Sequence, residues 1–304
     1  MSKIFDLFII GGGINGAGIA RDAAGRGLSV CLADKGEIGG ATSSWSTKLI
    51  HGGLRYLENY EFKLVRESLI EREIVYKIAK PISRPIPFII PYSDKIRPAW
   101  LIKIGLFLYD NLGGKSNIQK SKTIDLTKKF SNILKKNYKT GFQYFDIQID
   151  DKKLTKLNIK DAKRNKAKIF EYNKVKKAEI INNKWILHLQ NGKKIESKVL
   201  INASGPWINE TLKKNIKLKS KKKIRLVKGS HIITKKLYKE DVAFTFQNKD
   251  KRIIFVIPYK KKFSLIGTTE VEVKSPENKE ISKAEIKYLI NSVNNYLLNQ
   301  ISTK

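Results

Sequence analysis

Short apolar runs and a helical periodicity alternate at the start of the chain. The segment from Phe5 to Ile10 is apolar and ends at a glycine, and the next stretch, Ile14 to Ala24, repeats alanines at helical spacing. A second apolar run, Leu28 to Ala33, follows two glycines and stops at Asp34. The pattern predicts strand, glycine turn, helix and strand, which together form a parallel βαβ unit.

The rest of the chain mixes helical and strand-like patterns. Helices are predicted over 62–80, 99–109, 152–164 and 283–298, and strands over 167–172, 184–189, 198–202, 230–234, 253–257 and 263–267. Asn191 and Gly192 predict a hairpin turn, and the prolines between 81 and 98 predict extended pieces and turns. The polar, lysine-rich stretch 113–138 lacks clear periodicity, so we interpret it as surface loops.

Charge affects the choice of partner more than it affects the fold. The 304 residues carry a net charge of +33, from 61 Lys plus Arg against 28 Asp plus Glu. Such a balance attracts anionic metabolites, anionic lipid or nucleic acid. The basic residues lie in short scattered runs, so a solvated, lysine-rich surface explains most of the charge, and we predict no nucleic-acid partner.

The cysteine count and the apolar stretches exclude several classes of protein and of binding site. Cys31 is the single cysteine, which excludes an intramolecular disulfide framework and a cysteine-rich metal site and fits a reducing cytoplasm; no metal site is predicted. The chain starts with a strand-like segment and shows no secretory signal. The apolar stretch 99–109 is far shorter than the ~20 residues of a membrane span. A buried helix and a helix lying in the membrane interface both stay open for it.

The turn after the first strand carries a dinucleotide-binding fingerprint. Gly11, Gly13 and Gly16 form G-x-G-x-x-G between strand and helix. Gly11 permits the tight turn, Gly13 lets the backbone approach a pyrophosphate, and Gly16 lets helix and strand pack closely. Asp34, at the end of the second strand, is placed to accept ribose hydroxyls. The motif alone does not distinguish NAD from FAD.

A loop rich in hydroxyls and glycines follows over 39–57. Such a loop can wrap a long extended cofactor, because its hydroxyls and backbone amides can bind pyrophosphate and ribityl groups, and this favours FAD. Arg55 offers a fixed guanidinium fork for an anionic substrate. The candidate cofactor contacts in the loop are Thr42, Ser43, Ser44, Ser46, Lys48 and Leu49.

Longer motifs resemble one known family. The runs IGGGINGAGIARDAAGRG over 10–27 and ATSSWSTKLIHGGLRYLE over 41–58 resemble the signature of FAD-dependent glycerol-3-phosphate dehydrogenases. The resemblance continues through 97–114, 202–207 and 228–233 and then through 248–272, so it covers nearly the whole chain. Glycine oxidases and related amino-acid oxidases share only the first motif in general form.

The resemblance implies an α/β fold with two interleaved parts. One is a Rossmann-like FAD-binding domain of the amino-acid-oxidase type over 1–80 and 140–230. The other is a strand-rich α+β substrate domain over 81–139 and 231–304. FAD is the implied cofactor, and Ala203 and Gly205 are implied to pack on it, in a segment where Ser204 replaces the family's usual threonine.

The resemblance also implies the chemistry. Members oxidise glycerol 3-phosphate and pass the electrons to quinone at the cytoplasmic face of the membrane, so the implied partners are that substrate, a quinone and an anionic membrane surface. The implied location is cytoplasmic, peripheral on the inner face of the cell membrane, and a homodimer stays open.

The resemblance also implies which residues of this sequence act on the substrate. Arg55 and Tyr56 match substrate-side residues, and His231 matches a histidine beside the flavin that can assist proton removal. A structural salt bridge for Arg55 and a core role for His231 stay open. Thr268 and Thr269 either add hydroxyl contacts or cap a turn.

The chain departs from the family's pattern at its end. Full members continue through W-x-Y-S-G-V-R-P-L and G-G-K-x-T-x-Y-R segments, which supply a second arginine and a lysine to the substrate phosphate and close the flavin site; neither occurs here. We therefore expect an amino-terminal portion with weak FAD retention and little or no turnover alone, for which a separately encoded remainder is one explanation. The alternatives are an inactive FAD-binding fragment and an oxidase of amino or hydroxy acids with the same fold.

Overall fold

The structure is a computed structural model that describes residues 4–94, 96–222 and 224–303. The strands are β1 (Ile4–Ile10), β2 (Val30–Ala33), β3 (Leu49–Ile50), β4 (Ser83–Pro91), β5 (Lys122–Asp125), β6 (Thr140–Ile149), β7 (Lys168–Phe170), β8 (Val175–Ile181), β9 (Lys184–Leu189), β10 (Lys194–Asn202), β11 (Val227–Lys228), β12 (His231–Lys235), β13 (Ala243–Gln247), β14 (Ile253–Tyr259), β15 (Phe263–Gly267) and β16 (Val271–Glu272). The helices are α1 (Ile14–Gly25), α2 (Phe62–Ile78), α3 (Ala99–Asn111), α4 (Leu126–Lys129), α5 (Asp151–Arg164), α6 (Ile208–Glu210) and α7 (Lys283–Asn294).

The chain divides into two compact units. The first unit consists of residues 4–48, 150–226 and 274–277, and the second of residues 49–149, 227–273 and 278–303. The predicted domain bounds differ from this division mainly at 49–80 and 140–149, which belong to the second unit. The reason is pairing and packing, because β3 pairs with β6 and α2 buries Val65 and Leu69 in the second unit's core.

The first unit is built on a mixed six-stranded sheet in the order β7-β2-β1-β10-β9-β8. β1 pairs in parallel with β2 and with β10, and β2 pairs in parallel with β7. Helix α1 covers this parallel part because alanines lie along its buried face, with Ala17 and Ala20 fully buried beside α5. The predicted βαβ unit and the Rossmann-like fold class are confirmed.

The second unit contains a larger sheet in the order β12-β15-β14-β13-β4-β6-β3, with β5 paired to β6. β11 and β16 form a separate antiparallel pair. Two apolar clusters stabilise this unit, since burying apolar area is the main favourable term in folding. One cluster gathers α2 and α3 around Phe88. The other gathers α4 and α7 around Phe244 and Phe246.

The lysine-rich stretch 113–138 differs from the sequence-based expectation of surface loops. It contains β5 and α4, and Leu126, Phe130 and Leu134 are buried in the second unit's core. These three side chains recur every four residues, a helical spacing that the polar residues between them, Lys128 and Lys129 among them, obscured. The strands β6, β8 and β13 were also not predicted.

Helix α3 buries some of its apolar side chains and exposes others. Ile102, Leu106 and Tyr109 are buried against the second unit's core, whereas Trp100 and Phe107 are 63% and 67% exposed. Among the residues that the structure describes, no helix is long and apolar enough to cross a bilayer.

Candidate functional site

The glycine turn of the first unit brings three backbone segments into contact. Gly11 has φ of +105°, and a Cβ there would lie 2.4 Å from the carbonyl oxygen of Ala203 at the end of β10. A Cβ on Gly16 would lie 1.9 Å from the carbonyl oxygen of Gly11. Because real Cβ atoms do not come so close to backbone, α1, β1 and β10 meet this closely only with glycine at both positions.

The N-terminus of α1 opens beside the hydroxyl loop. Gly13 is the N-cap residue, and the Ile14 N–H donates to Ser43 Oγ at 2.8 Å. A Cβ on Gly13 would lie 3.1 Å from that oxygen. First-turn N–H groups have no carbonyl partner within a helix, and the helix dipole favours negative charge at this end. The arrangement suits a pyrophosphate.

Asp34 holds the turn from the end of β2. Its two carboxylate oxygens accept hydrogen bonds from the N–H groups of Gly12 at 2.6 Å and Gly36 at 2.8 Å. Each carboxylate oxygen can accept more than one hydrogen bond. Asp34 therefore orders the glycine turn and keeps acceptor capacity for ribose hydroxyls.

A cavity of about 240 Å³ opens at this end of the parallel strands, where open α/β sheets bind ligands. Seven of the predicted cofactor residues line it: Gly11, Gly13, Asp34, Thr42, Ser43, Ala203 and Gly205. Gly16 lies beneath it as a packing residue. Ser44, Ser46, Lys48 and Leu49 do not belong to its lining.

The predicted loop residues outside the cavity lining have structural partners. The Ser46 hydroxyl donates to one carboxylate oxygen of Asp151 at 2.7 Å, and Lys48 Nζ donates to the other at 2.8 Å. Lys48 Nζ also donates to the Ser44 carbonyl. The three residues thus fasten the loop to the start of α5. Leu49 begins β3, in the second unit.

Sequence reasoning missed part of the cavity wall. Lys35 and Trp207 line it, with Lys35 Nζ 3.8 Å from the centroid of the indole ring. Glu277 accepts a hydrogen bond from Trp207 Nε1 at 2.6 Å and lies 3.7 Å from Lys35 Nζ. Asn215 also lines the cavity, and its side-chain amide donates to the Val175 carbonyl. Trp207 stood in the quoted motif 202–207, whereas no local pattern marked Asn215 or Glu277.

In the second unit, Arg55 and Tyr56 lie on a 3₁₀ helix over Leu54–Asn59. Gly53 precedes it with φ of +70°, a left-handed conformation that favours glycine. Both side chains are exposed, Tyr56 to 46%. Arg55 Nη1 lies 3.4 Å from Glu270 Oε1, so the guanidinium forms a loose surface ion pair. The structural salt bridge that the sequence left open is present.

His231 begins β12 and lies opposite Gly267 of β15. A Cβ on Gly267 would lie 2.1 Å from His231 Cδ2, so the imidazole lies directly against the glycine backbone. The residue is half-buried. The structure thus brings His231 to the end of β15, the strand that leads through Thr268 and Thr269 to Glu270.

Thr269 has a structural partner. Its hydroxyl and that of Ser230 both donate to Glu285 Oε1, at 2.7 and 2.8 Å, and Lys228 Nζ donates to Oε2 at 3.0 Å. Burial of Glu285 opposes its ionisation, but these hydrogen bonds and the one from the Ser282 N–H outweigh burial and lower its pKa to about 2. Glu285 therefore ties the residues flanking His231 to α7.

Comparison with known proteins assigns the family. Residues 6–303 match the model of the DAO family, described as FAD dependent oxidoreductase. The chain belongs to the FAD-dependent oxidoreductase family. Membership confirms the fold class and gives FAD as the cofactor. A cavity at the carboxyl ends of parallel strands, beside a glycine turn, agrees with that assignment.

Several curated proteins and a solved structure are similar to the chain. A glycerol-3-phosphate dehydrogenase of Pseudomonas aeruginosa is 43% identical over 99% of this chain and 60% of its own length. A D-erythritol 1-phosphate dehydrogenase of Brucella abortus is 44% identical over 96% of this chain and 59% of its own length. The FAD-complexed glycerol-3-phosphate dehydrogenase from Bacillus halodurans is 26% identical, with a TM-score of 0.75 over 99% of this chain and 54% of that one. The chain thus spans about 60% of the length of its curated relatives.

The residues of the first unit fit FAD. The cavity meets the bare backbone of Gly11 and Gly13, the N-terminus of α1 and the carboxylate of Asp34. These groups supply a close approach, N–H donors and hydroxyl acceptors, which a pyrophosphate and a ribose require. Within the described ranges, no group of three or more His, Cys, Asp and Glu residues could hold a metal ion.

Proposed function

We propose that this chain is the flavin-binding portion of a dehydrogenase that oxidises sn-glycerol 3-phosphate to dihydroxyacetone phosphate and passes the electrons to quinone. Support comes from relatives at 43% and 44% identity that are named glycerol-3-phosphate dehydrogenases. The whole activity is a proposal because the chain spans about 60% of their length.

One observation in the second unit carries the proposal for the substrate. Arg55 is paired with Glu270, which follows Gly267 by three residues, and Gly267 lies against His231. An exposed guanidinium and a half-buried imidazole therefore lie near one end of β15. A guanidinium can bind a phosphate, and an imidazole can accept the proton of a secondary hydroxyl, so the two groups together suit one small molecule that carries both.

Arg55 can exchange its carboxylate partner for a substrate phosphate. The side chains of Arg55 and Glu270 are 43% and 51% exposed, and exposed ion pairs contribute only ~0–1 kcal/mol. A guanidinium fork binds two phosphate oxygens at once, which is stronger than a single loose contact. We propose that Arg55 anchors the phosphate and that Tyr56, on the same turn, contacts the substrate.

We assign proton removal to the His231 imidazole, which would accept the proton of the substrate's secondary hydroxyl. FAD, when bound, supplies the acceptor for the hydride that leaves the same carbon. Contact with Gly267, and the hydrogen bond that the hydroxyl of the neighbouring Ser230 donates to Glu285, restrict where the imidazole can lie. The residues of this chain thus provide anchoring, orientation and a proton acceptor.

A second phosphorylated polyol competes as the substrate. The Brucella abortus relative, named D-erythritol 1-phosphate dehydrogenase, is 44% identical to the chain, as is the Escherichia coli glycerol-3-phosphate dehydrogenase. Each of the two substrates presents a phosphate and at least one secondary hydroxyl, so Arg55 could anchor either. Their comparison therefore belongs in any test.

The deciding measurement is the visible spectrum of the FAD-supplemented chain without oxygen, before and after substrate. We expect glycerol 3-phosphate to bleach the flavin at lower concentration than D-erythritol 1-phosphate, glycine or lactate. Arg55→Ala should raise the half-bleaching concentration roughly 10- to 100-fold, the loss expected for hydrogen bonds to a charged group. Arg66→Ala, an exposed arginine of α2, is the control. Bound flavin that no substrate bleaches would contradict the proposal and leave a cofactor-binding fragment.

We also propose that the chain meets an anionic membrane surface through α3. Trp100, Ile104 and Phe107 follow one another at helical spacing and are 63%, 49% and 67% exposed. Aromatic side chains favour the membrane interface, and the net charge of +33 adds attraction to anionic lipid. Quinones dissolve in that membrane, which would give the electrons an acceptor there.

Vesicle sedimentation tests the membrane proposal. Binding to vesicles containing anionic lipid should fall about tenfold in a Trp100→Ser, Phe107→Ser variant and stay unchanged in Leu157→Ser, which removes an exposed leucine of α5. Equal binding by the two variants would reject α3 as the contact.

A separate experiment tests the electron acceptor: a water-soluble quinone should restore the bleached flavin spectrum in the absence of oxygen.

A further inference from the structure

The turn that carries Arg55 is fastened to a buried tyrosine. Tyr109, on α3, is 2% exposed, and its Oη accepts a hydrogen bond from the Gly52 N–H at 2.7 Å. The same hydroxyl donates to Asp146 Oδ1 at 2.7 Å. Burial raises the pKa of Tyr109 well above its ordinary value. The hydroxyl therefore keeps its proton, and its oxygen keeps a lone pair for the Gly52 N–H.

Asp146 is itself fixed. Arg72 Nη1 donates to Asp146 Oδ1 at 2.9 Å and to the Phe145 carbonyl at 3.1 Å. Asp146 is 3% exposed and Arg72 5%. A buried ion pair of this kind adds little net stability, because the loss of hydration offsets the attraction between the two charges, but breaking it by removing one partner is costly. The series Arg72, Asp146, Tyr109 and Gly52 thus runs from the core of the second unit to its surface loop.

Gly52 and Gly53 form the pivot of that loop. A Cβ on Gly52 would lie 2.4 Å from Leu69 Cδ2, so the backbone there packs directly on α2. Gly53, with φ of +70°, then reverses the chain into the 3₁₀ helix over Leu54–Asn59. The direction in which Arg55 leaves the surface depends on this pivot, because two glycines offer little steric restraint of their own.

We propose that Tyr109 is a positioning residue for the substrate turn: its hydroxyl holds the Gly52 N–H and so fixes the pivot that aims Arg55 and Tyr56. The link to substrate rests on the proposed function. The effect on the order of the turn does not, since it follows from hydrogen bonds within the second unit.

Hydrogen exchange measures the order of the turn directly. The amides of Tyr56, Tyr60 and Glu61 donate within this segment and report its opening. Tyr109→Phe removes one oxygen and leaves the Gly52 N–H buried without an acceptor, so exchange over residues 52–61 should be roughly tenfold faster or more. Exchange in α7 should be unchanged.

Tyr144→Phe is the matched control. Tyr144 belongs to the same apolar cluster, is also 2% exposed, and shares its hydroxyl with Thr245 at 3.0 Å, away from the pivot. It therefore loses a buried hydroxyl without touching Gly52. Unchanged exchange over 52–61 in Tyr109→Phe, or equal acceleration in both variants, would overturn the proposal.

Substrate measurements separate this inference from the proposed function. In Tyr109→Phe the glycerol 3-phosphate concentration for half-bleaching should rise about fivefold or more, and the limiting rate of bleaching should change less, because Arg55 is misaimed and not removed. Tyr144→Phe should leave that concentration unchanged. If substrate bleaches the flavin neither in the unmodified chain nor in any variant, the proposed function fails. The hydrogen-exchange result still decides the role of Tyr109.

Discussion

Two glycines of α1 lead to opposite predictions although they lie two positions apart. A Cβ on Gly16 would lie 1.9 Å from the Gly11 carbonyl oxygen, about 1.5 Å short of ordinary contact. Backbone cannot rotate away as a side chain can, so Gly16→Ala forces α1 away from β1. On Gly18 a Cβ would meet no described heavy atom within 4 Å outside its own helix.

The magnitudes follow from helix propensity and packing. Alanine is better than glycine inside a helix by about 1 kcal/mol, so Gly18→Ala should raise the unfolding free energy of the first unit by about that amount. Gly16→Ala gains the same propensity but incurs overpacking of roughly 1–3 kcal/mol or more, and its clash with backbone places it at the upper end. We expect a net loss of about 2 kcal/mol.

Urea unfolding followed by tryptophan fluorescence measures the difference. Three of the four tryptophans, Trp45, Trp185 and Trp207, lie in the first unit, so the signal reports mainly that unit. The two midpoints should differ by about 1 M or more. FAD affinity should also fall at least about tenfold in Gly16→Ala, since the N-terminus of α1 moves. Equal midpoints for the two variants would refute the packing argument.

Three further outcomes are expected. Ser43→Ala should destabilise the first unit by about 1 kcal/mol and weaken FAD binding, because the Ile14 N–H loses its acceptor. The control in urea unfolding is Ser44→Ala, which removes a weaker hydrogen bond to the Ala41 carbonyl. The pKa of Glu285 is lowered to about 2 from an ordinary value of 4.5. The stability that the ionised carboxylate contributes is therefore complete above pH 4.5 and is lost as pH falls toward 2. Thermal unfolding across this range should show a smaller loss of stability with falling pH in Glu285→Gln. Burial raises the pKa of Cys31 to about 12, so iodoacetamide should alkylate it only after unfolding, as mass spectrometry would show.

The nucleotide-binding half of the fold was predictable because its signals are local. The spacing of Gly11, Gly13 and Gly16 lies within one turn, and the apolar runs on either side fix the strands that the turn joins. Asp34 follows from the same pattern, since it ends the second of those strands. Each inference needed only neighbouring residues, and β1, α1 and β2 formed as expected.

The parts that sequence reasoning missed depend on distant partners. Asn215 lines the cavity only because a π-helical turn brings it to the carbonyl of Val175, about forty positions earlier. Glu277 reaches Trp207 from a separate segment of the chain. Such contacts leave no periodicity or spacing in the sequence, because the residues that meet are set by the packing of whole elements.

Buried carboxylates explain why several hydroxyls near the motifs lie outside the cavity lining. Asp151 accepts hydrogen bonds from Ser46 and Lys48, and Glu285 accepts them from Thr269 and Lys228. Asp146 accepts them from Tyr109 and Arg72. A carboxylate removed from water needs several donors to offset its lost hydration, and donors from different segments become fixed relative to one another. In a chain with 61 basic and 28 acidic residues, most cations must face solvent. The few buried carboxylates therefore mark the places where loops are held to the rest of the fold. A serine or threonine beside a motif is free to contact a ligand only if its hydroxyl is not already hydrogen-bonded to one of these carboxylates.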